Sequence, residues 1–263
     1  MKKSRRRFIG DNLSDAIFHN VNLTGARIRG AALAGAQISG DIRGMTVNGV
    51  EVAPLVKAEL DRRYPERKAL RPKTPQGMRE AWTVIEGLWG PTVERARALP
   101  AAQLHVSVEE EWTFVETLRH LVFVTDAWIR RTVLGEHDQY DAGGLASSDL
   151  PPWYQAACGL DPSADPTLDE VLTARAERMA IVRHLVDGLG DEDIERRCRA
   201  NRSKGFPADP RRYDYRTCLW TVFGEEWQHH RFAVRDLDLL ERDPSAGSTT
   251  KPKTTAPPKS AKS

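Results

Sequence analysis

The chain is short of cysteine, of long apolar runs and of any surplus charge. Its three cysteines, Cys158, Cys198 and Cys218, lie far apart and form no CxxC pair. That argues against a disulfide framework and fits a reducing cytoplasm. No run of apolar residues reaches the length a membrane span needs. The basic start, "MKKSRRRFIG", is not followed by an apolar segment of signal-peptide length. A soluble, cytoplasmic protein is therefore expected. The 39 basic and 37 acidic residues leave a net charge of +2, so the balance calls for neither nucleic acid nor an acidic membrane as partner. What remains is an ordinary globular composition over 263 residues, enough for one large domain or two small ones.

A five-residue period is present from Phe8 to Gly40, reading DNLSD, AIFHN, VNLTG, ARIRG, AALAG, AQISG. Its large positions are Phe8, Leu13, Phe18, Leu23, Ile28, Leu33 and Ile38. Small residues (Ala16, Val21, Ala26, Ala31, Ala36) stand two places before the later ones. A period of five matches neither a helix nor a strand. It suits a coil of four short sides, each burying one large and one small side chain. This segment resembles the pentapeptide-repeat family, which implies a right-handed β-helix; the match is lost by Arg43. So few repeats make fewer than two coils, and such units bury their faces only against neighbours. The expected role is a structural cap or interaction module packed on the rest of the chain. Residues 8–50 are assigned to this β-solenoid segment and 51–74 to a short helix and linker. Pro54 suits an early helical position, and Pro65, Pro72 and Pro75 punctuate the linker.

From 75 to 242 the pattern is helical. "TPQGMREAWTVIEGLWGPTVERARAL" is expected to break or kink near Gly90-Pro91. "SVEEEWTFVETLRHLVFVTDAWIRRTVLG" takes Ser107 as N-cap, Glu110 as its box partner and Gly135 as terminator. "TLDEVLTARAERMAIVRHLVDGLG" starts on Thr167 with Glu170 completing the box. The fourth helix runs from Thr217 to Glu241. Irregular stretches, 136–166 and 198–216, separate the later helices. Four long helices without credible strands predict a mainly α fold, a four-helix bundle over 75–242. Residues 243–263 contain no aliphatic residue larger than Ala, which predicts a disordered tail.

On the fourth helix Leu219, Phe223, Val234, Leu237 and Leu240 form an inward stripe. The stripe passes Glu226 and His230, four residues apart and able to reach a common point. A buried carboxylate and imidazole are costly unless each finds a partner. His229 lies about 100° around the helix and reads as a bystander. His120 is the interior ionisable group of the apolar second helix, with Glu116 one turn before it. His120, Glu226 and His230 would form a two-histidine, one-carboxylate set that leaves positions open for water and substrate. A core histidine satisfied by a hydrogen bond is the competing reading of His120 alone. The other histidines (His19, His105, His137, His184) have no partner at metal spacing. Arg175, Arg178 and Arg183 read as a solvated charged face, with anion binding as the alternative. Tyr140, Trp153 and Tyr154 of the long loop would roof the site or form a satellite core.

The helices "RHLVFVTDAW" and "EWQHHR" resemble the DinB/YfiT-like superfamily. That resemblance implies a four-helix bundle with a divalent metal on three residues, one from the second helix and two from the fourth. Carried over, the ligands are His120, Glu226 and His230, with Glu226 standing where histidine is usual. The implied ion is Zn2+, with Ni2+, Fe2+ and Mn2+ as alternatives. The implied function is a metal-dependent S-transferase or hydrolase on a small molecule. A low-molecular-weight thiol such as bacillithiol or mycothiol would be the cosubstrate, and Glu116 a general base or an outer partner of the centre. An ion pair with Arg119 or Arg231 is the alternative for Glu116. The alternative function is a metal-binding stress or sensor protein that docks a partner through the repeats. No nucleic-acid or membrane partner is expected, and a homodimer is left open.

Overall fold

In the computed structural model, residues 6–18, 21–109, 111–147 and 150–243 are described. His19, Glu110 and the expected tail beyond Asp243 lie outside them. The chain divides into two units, 1–41 and 42–263.

The first unit turns the five-residue period into a ladder of turns. The N–H groups of Ala16, Ala26 and Ala36 bond the carbonyls of Leu13, Leu23 and Leu33 at 3.2, 2.9 and 3.1 Å. Asn12 and Asn22 side chains accept the N–H groups of Ser14 and Thr24, the Asx turns that such residues favour. Among the described residues of this unit there is no strand and no buried side chain. Solenoid strands pair with the coils above and below, and a chain of fewer than two coils has no central coil flanked on both sides.

The second unit opens with a hairpin within the span assigned to the repeat. Strands β1 (Thr46–Val47) and β2 (Val50–Glu51) pair antiparallel, with Val47 opposite Val50. Asn48 and Gly49 both have positive φ, 49° and 83°, the conformation that an Asn-Gly hairpin turn requires. Helix α1 (Ala53–Arg63) follows, with Pro54 in its first turn, and then a 3-10 stretch at Pro65–Leu70.

The rest is mainly helical. The bundle consists of α2 (Pro75–Ala98), α3 (Phe114–Thr125), α5 (Leu168–Asp187) and α6 (Tyr215–Arg242). Helix α3 continues as π-helical turns over Asp126–Val133, and the short α4 (Pro152–Ala157) lies in the long loop. Helices α2 and α3 each pack against both α5 and α6. Met78, Trp82, Ile85, Leu118, Leu121, Val182, Leu219 and Phe223 are fully enclosed between them. Burying each large apolar side chain contributes about 1.5–3 kcal/mol.

Three local expectations change. Helix α2 runs through Pro91 without interruption. Gly87, Gly90 and Pro91 are exposed, so water can take up the carbonyl that proline leaves unpaired. Helix α3 begins at Thr113, whose side chain and Glu116 form the capping box. Ser107 instead donates to the Glu111 carbonyl at 2.6 Å, closing a turn in which Glu109 has φ +52°. Arg175 and Arg178, read as solvated, are buried at 3% and 6% exposure. Arg178 holds the enclosed carboxylate of Asp126 at 3.1 and 3.2 Å. Asp126 also accepts the Asp141 N–H at 2.9 Å. The box at Thr167 and Glu170 stands as expected.

The long loop is tied to α3 by Arg119, whose guanidinium donates to the carbonyls of Gly143, Asp161 and Ala164 at 2.7, 2.9 and 2.5 Å. Tyr140 exchanges hydrogen bonds with the backbone of Phe206, and Tyr154 donates to Gly205. These two tyrosines pin the two irregular stretches together, while Trp153 remains exposed.

Asp236 on α6 is buried beside Arg235, with Glu109 and Glu111 nearby, and burial pushes its carboxyl up to about 6 against the pull of Arg235. The folded chain therefore keeps this proton to about pH 6, and the unfolded chain releases it near 4. Stability through this group rises as pH falls across that window and is lost above it. Asp236→Asn is expected to stabilise the protein at pH 7.5 by on the order of 1–2 kcal/mol. That gain should shrink below pH 4. Urea denaturation at both pH values tests this, and equal gains at the two would refute the assignment.

Candidate metal centre

Four polar residues project from the middle of α6, and the 100° step of the helix sorts them into two pairs. Glu226 and His230 share one side. Glu226 is 1% exposed and receives both guanidinium arms of Arg175 on α5, at 3.0 and 2.9 Å. That guanidinium lies over the Trp89 ring at 4.9 Å. His230 places Nε2 2.8 Å from Thr92 Oγ1 on α2, its ring edge-on to Trp89 at 5.2 Å. Of the expected set of His120, Glu226 and His230, only His120 falls in a cluster of possible ligands among the described residues.

The cluster's other members are Glu225 and His229, on the side of α6 that meets α3. Glu225 Oε2 lies 3.7 Å from His120 Nε2 and 3.2 Å from His229 Nε2. One donor atom from each of the three residues falls within 4.8 Å of the others. Ligand bonds of about 2.0–2.2 Å at tetrahedral angles separate donors by roughly 3.4 Å, so the two Glu225 spans are close to single-ion spacing, while a 4.8 Å span would have to close to bring all three donors onto one ion. His120 Nδ1 is 2.9 Å from the Leu145 carbonyl. A carbonyl only accepts, so Nδ1 carries the proton and Nε2 turns its lone pair to the cluster. The Leu145 N–H in turn bonds the Arg119 carbonyl at 3.1 Å, and the long loop thereby fixes the imidazole.

Electrostatics favour the ligating forms. Burial pushes His120 below the usual imidazole range, more strongly than Glu225 draws it up. Burial also raises the Glu225 carboxyl, but the two imidazoles beside it outweigh that and bring it to about 2. A neutral imidazole and a carboxylate thus stand ready at neutral pH, the donor forms a divalent cation needs.

Rings enclose the cluster. Trp112 stacks on His229 (5.7 Å, 21°) and lies 4.6 Å from His120. Phe232 meets His229 edge-on at 5.9 Å. The Glu225 side chain is 39% exposed, against 6% for His120 and 13% for His229, so a small molecule would approach past Glu225. Glu116 is not one of the clustered donors; its carboxylate accepts the Thr113 N–H at 3.0 Å as part of the α3 cap. Glu225 was passed over and His229 was read as a bystander, although the two are also four residues apart. Nothing in spacing alone says which of two adjacent pairs faces the second helix.

A family model described as the DinB superfamily matches residues 84–233, more than half of the chain and all three clustered residues. No curated protein and no solved structure matches it.

Glu226→Ala would leave the Arg175 charge buried without its partner, and a loss of about 3–5 kcal/mol is expected. The double replacement Arg175→Met with Glu226→Leu should recover most of that, because two apolar groups leave no unpaired charge. Equilibrium unfolding measures both; a single-variant loss below about 1 kcal/mol would show that the pair is not the buried anchor described.

Proposed function

This chain belongs to the DinB superfamily, and on that premise we propose that it is a divalent-metal-dependent enzyme acting on a small molecule, with the ion on His120, Glu225 and His229. The observation that carries this reading is the convergence of three donors from α3 and α6. A bound divalent ion would supply Lewis acidity, making thiolate or hydroxide available at neutral pH from a bound thiol or water. That chemistry fits thiol S-transfer or hydrolysis.

The chain's own residues supply the setting. His120, held in one tautomer by Leu145, presents a fixed lone pair. Glu225 stays ionised and offsets part of an ion's charge, and its exposed edge leaves room for a ligand. The two imidazoles, mostly buried, close the inner side against water. No cysteine belongs to the cluster, so a reacting thiol would come from a low-molecular-weight cosubstrate. Two nitrogens and one oxygen suit Zn2+, and also Ni2+, Fe2+ or Mn2+.

A second reading keeps the ion without turnover and makes the chain a sensor. It draws on the first unit, a pentapeptide-repeat-like ladder whose Phe8, Phe18 and Ile28 remain 63%, 55% and 64% exposed. Exposed apolar side chains in such a row suit partner docking.

Elemental analysis of protein purified without chelators is expected to find about one divalent ion per chain. His120→Ala, Glu225→Ala and His229→Ala should each lose it. Glu226→Ala and His230→Ala, if folded, should keep it. The reverse pattern would give the ion to His120, Glu226 and His230, and an ion-free wild type would end the metal reading. Turnover of a thiol with a panel of electrophiles then separates enzyme from sensor: loaded protein that turns over none of them favours the sensor.

A further inference from the structure

We propose that Trp112 is a positioning residue of this centre, its indole clamping the imidazoles of His120 and His229 so that their Nε2 atoms converge. The inference rests on the metal reading above and concerns a residue outside the three donors. His120 comes from α3 and His229 from α6, and Trp112 comes from a third element, the connection between α2 and α3. Its ring lies 4.6 Å from the His120 ring and is stacked at 5.7 Å and 21° on that of His229. The two imidazoles are themselves 4.8 Å apart. One indole therefore spans both helices at the point where the donors meet.

The two histidines do not depend on it equally. His120 is oriented by its Nδ1 contact with the Leu145 carbonyl as well as by the indole. Among the described residues the polar contact of His229 is to Glu225 through Nε2, the atom that would bind an ion. What then orients its ring is aromatic: the stack with Trp112 and the edge contact with Phe232. The backbone on both sides of Trp112 is held. Before it, Ser107 donates to the Glu111 carbonyl and the Glu111 N–H bonds Val108. After it, Thr113 begins the capping box of α3. The indole is thus preorganised, as a group that fixes ligand orientation must be.

Space filling alone would predict that any bulky apolar residue serves as well, so Trp112→Leu is the informative change and Trp112→Phe its aromatic control. Titration with Co2+ reads both affinity and, in the visible d–d band, ligand geometry. Trp112→Leu is expected to bind Co2+ about 10–100-fold more weakly with an altered band and an unchanged far-ultraviolet circular dichroism spectrum. Trp112→Phe should stay close to the wild type. Equal affinity and an identical band in Trp112→Leu and wild type would overturn the clamp. A wild type that binds no Co2+ instead removes the metal reading itself. Should Trp112→Leu not fold, Co2+ quenching of tryptophan fluorescence decides: Trp112→Phe should bind Co2+ yet lose the largest share of the quenching, and undiminished quenching would overturn the proposal.

Discussion

The bidentate contact between Arg175 and Glu226 lies on the side of α6 that faces α5, and together with the buried apolar stripe of that helix it leaves the candidate centre on the side that meets α3. A carboxylate buried to 1% exposure must meet its cation, and Arg175 on α5 offers both arms under the face of Trp89. With Glu226 turned to α5 and His230 to Thr92 on α2, the neighbouring positions 225 and 229 are carried about 100° round the helix. There they meet α3 and His120. The ion pair is costly to bury, and it reinforces the azimuth that the buried stripe of Leu219, Phe223, Leu237 and Leu240 gives the helix.

The irregular segments serve the same centre from behind. Arg119 and His120 are neighbours on α3, and both reach the long loop. The arginine collects three loop carbonyls, and the histidine fixes its tautomer on a fourth, that of Leu145. Asp126, almost two turns further on, takes Arg178 and the Asp141 N–H. A loop of that length would ordinarily be free to move. Here buried charge ties it to the bundle, so the imidazole rests on a supported carbonyl.

Parts of this were legible in the sequence because they depend on neighbours along the chain. The Thr167 and Glu170 box, the inward position of Glu226 and the interior place of His120 all follow from spacing within one helix. The cap of α3 was misplaced because Ser107 and Thr113 both precede suitable acidic residues, and only the turn through Glu109 chooses between them. Pro91 was expected to interrupt or kink α2, yet the helix is continuous through it, on an exposed face that tolerates proline. The arginines of α5 looked solvated because their partners, Glu226 and Asp126, lie 51 and 52 residues away.

The sequence by itself determined the helices, their apolar stripes and the presence of two overlapping carboxylate–histidine pairs at four-residue spacing. Which pair faces His120 was decided only by tertiary structure. Adjacent residues on a helix differ by about 100° in direction, and α6 packs against α2 on one side and α3 on another. Both pairs are therefore half-interior by pattern. The choice between them belongs to Arg175 and Thr92, which claim Glu226 and His230 across the bundle and leave Glu225 and His229 to the second bundle helix.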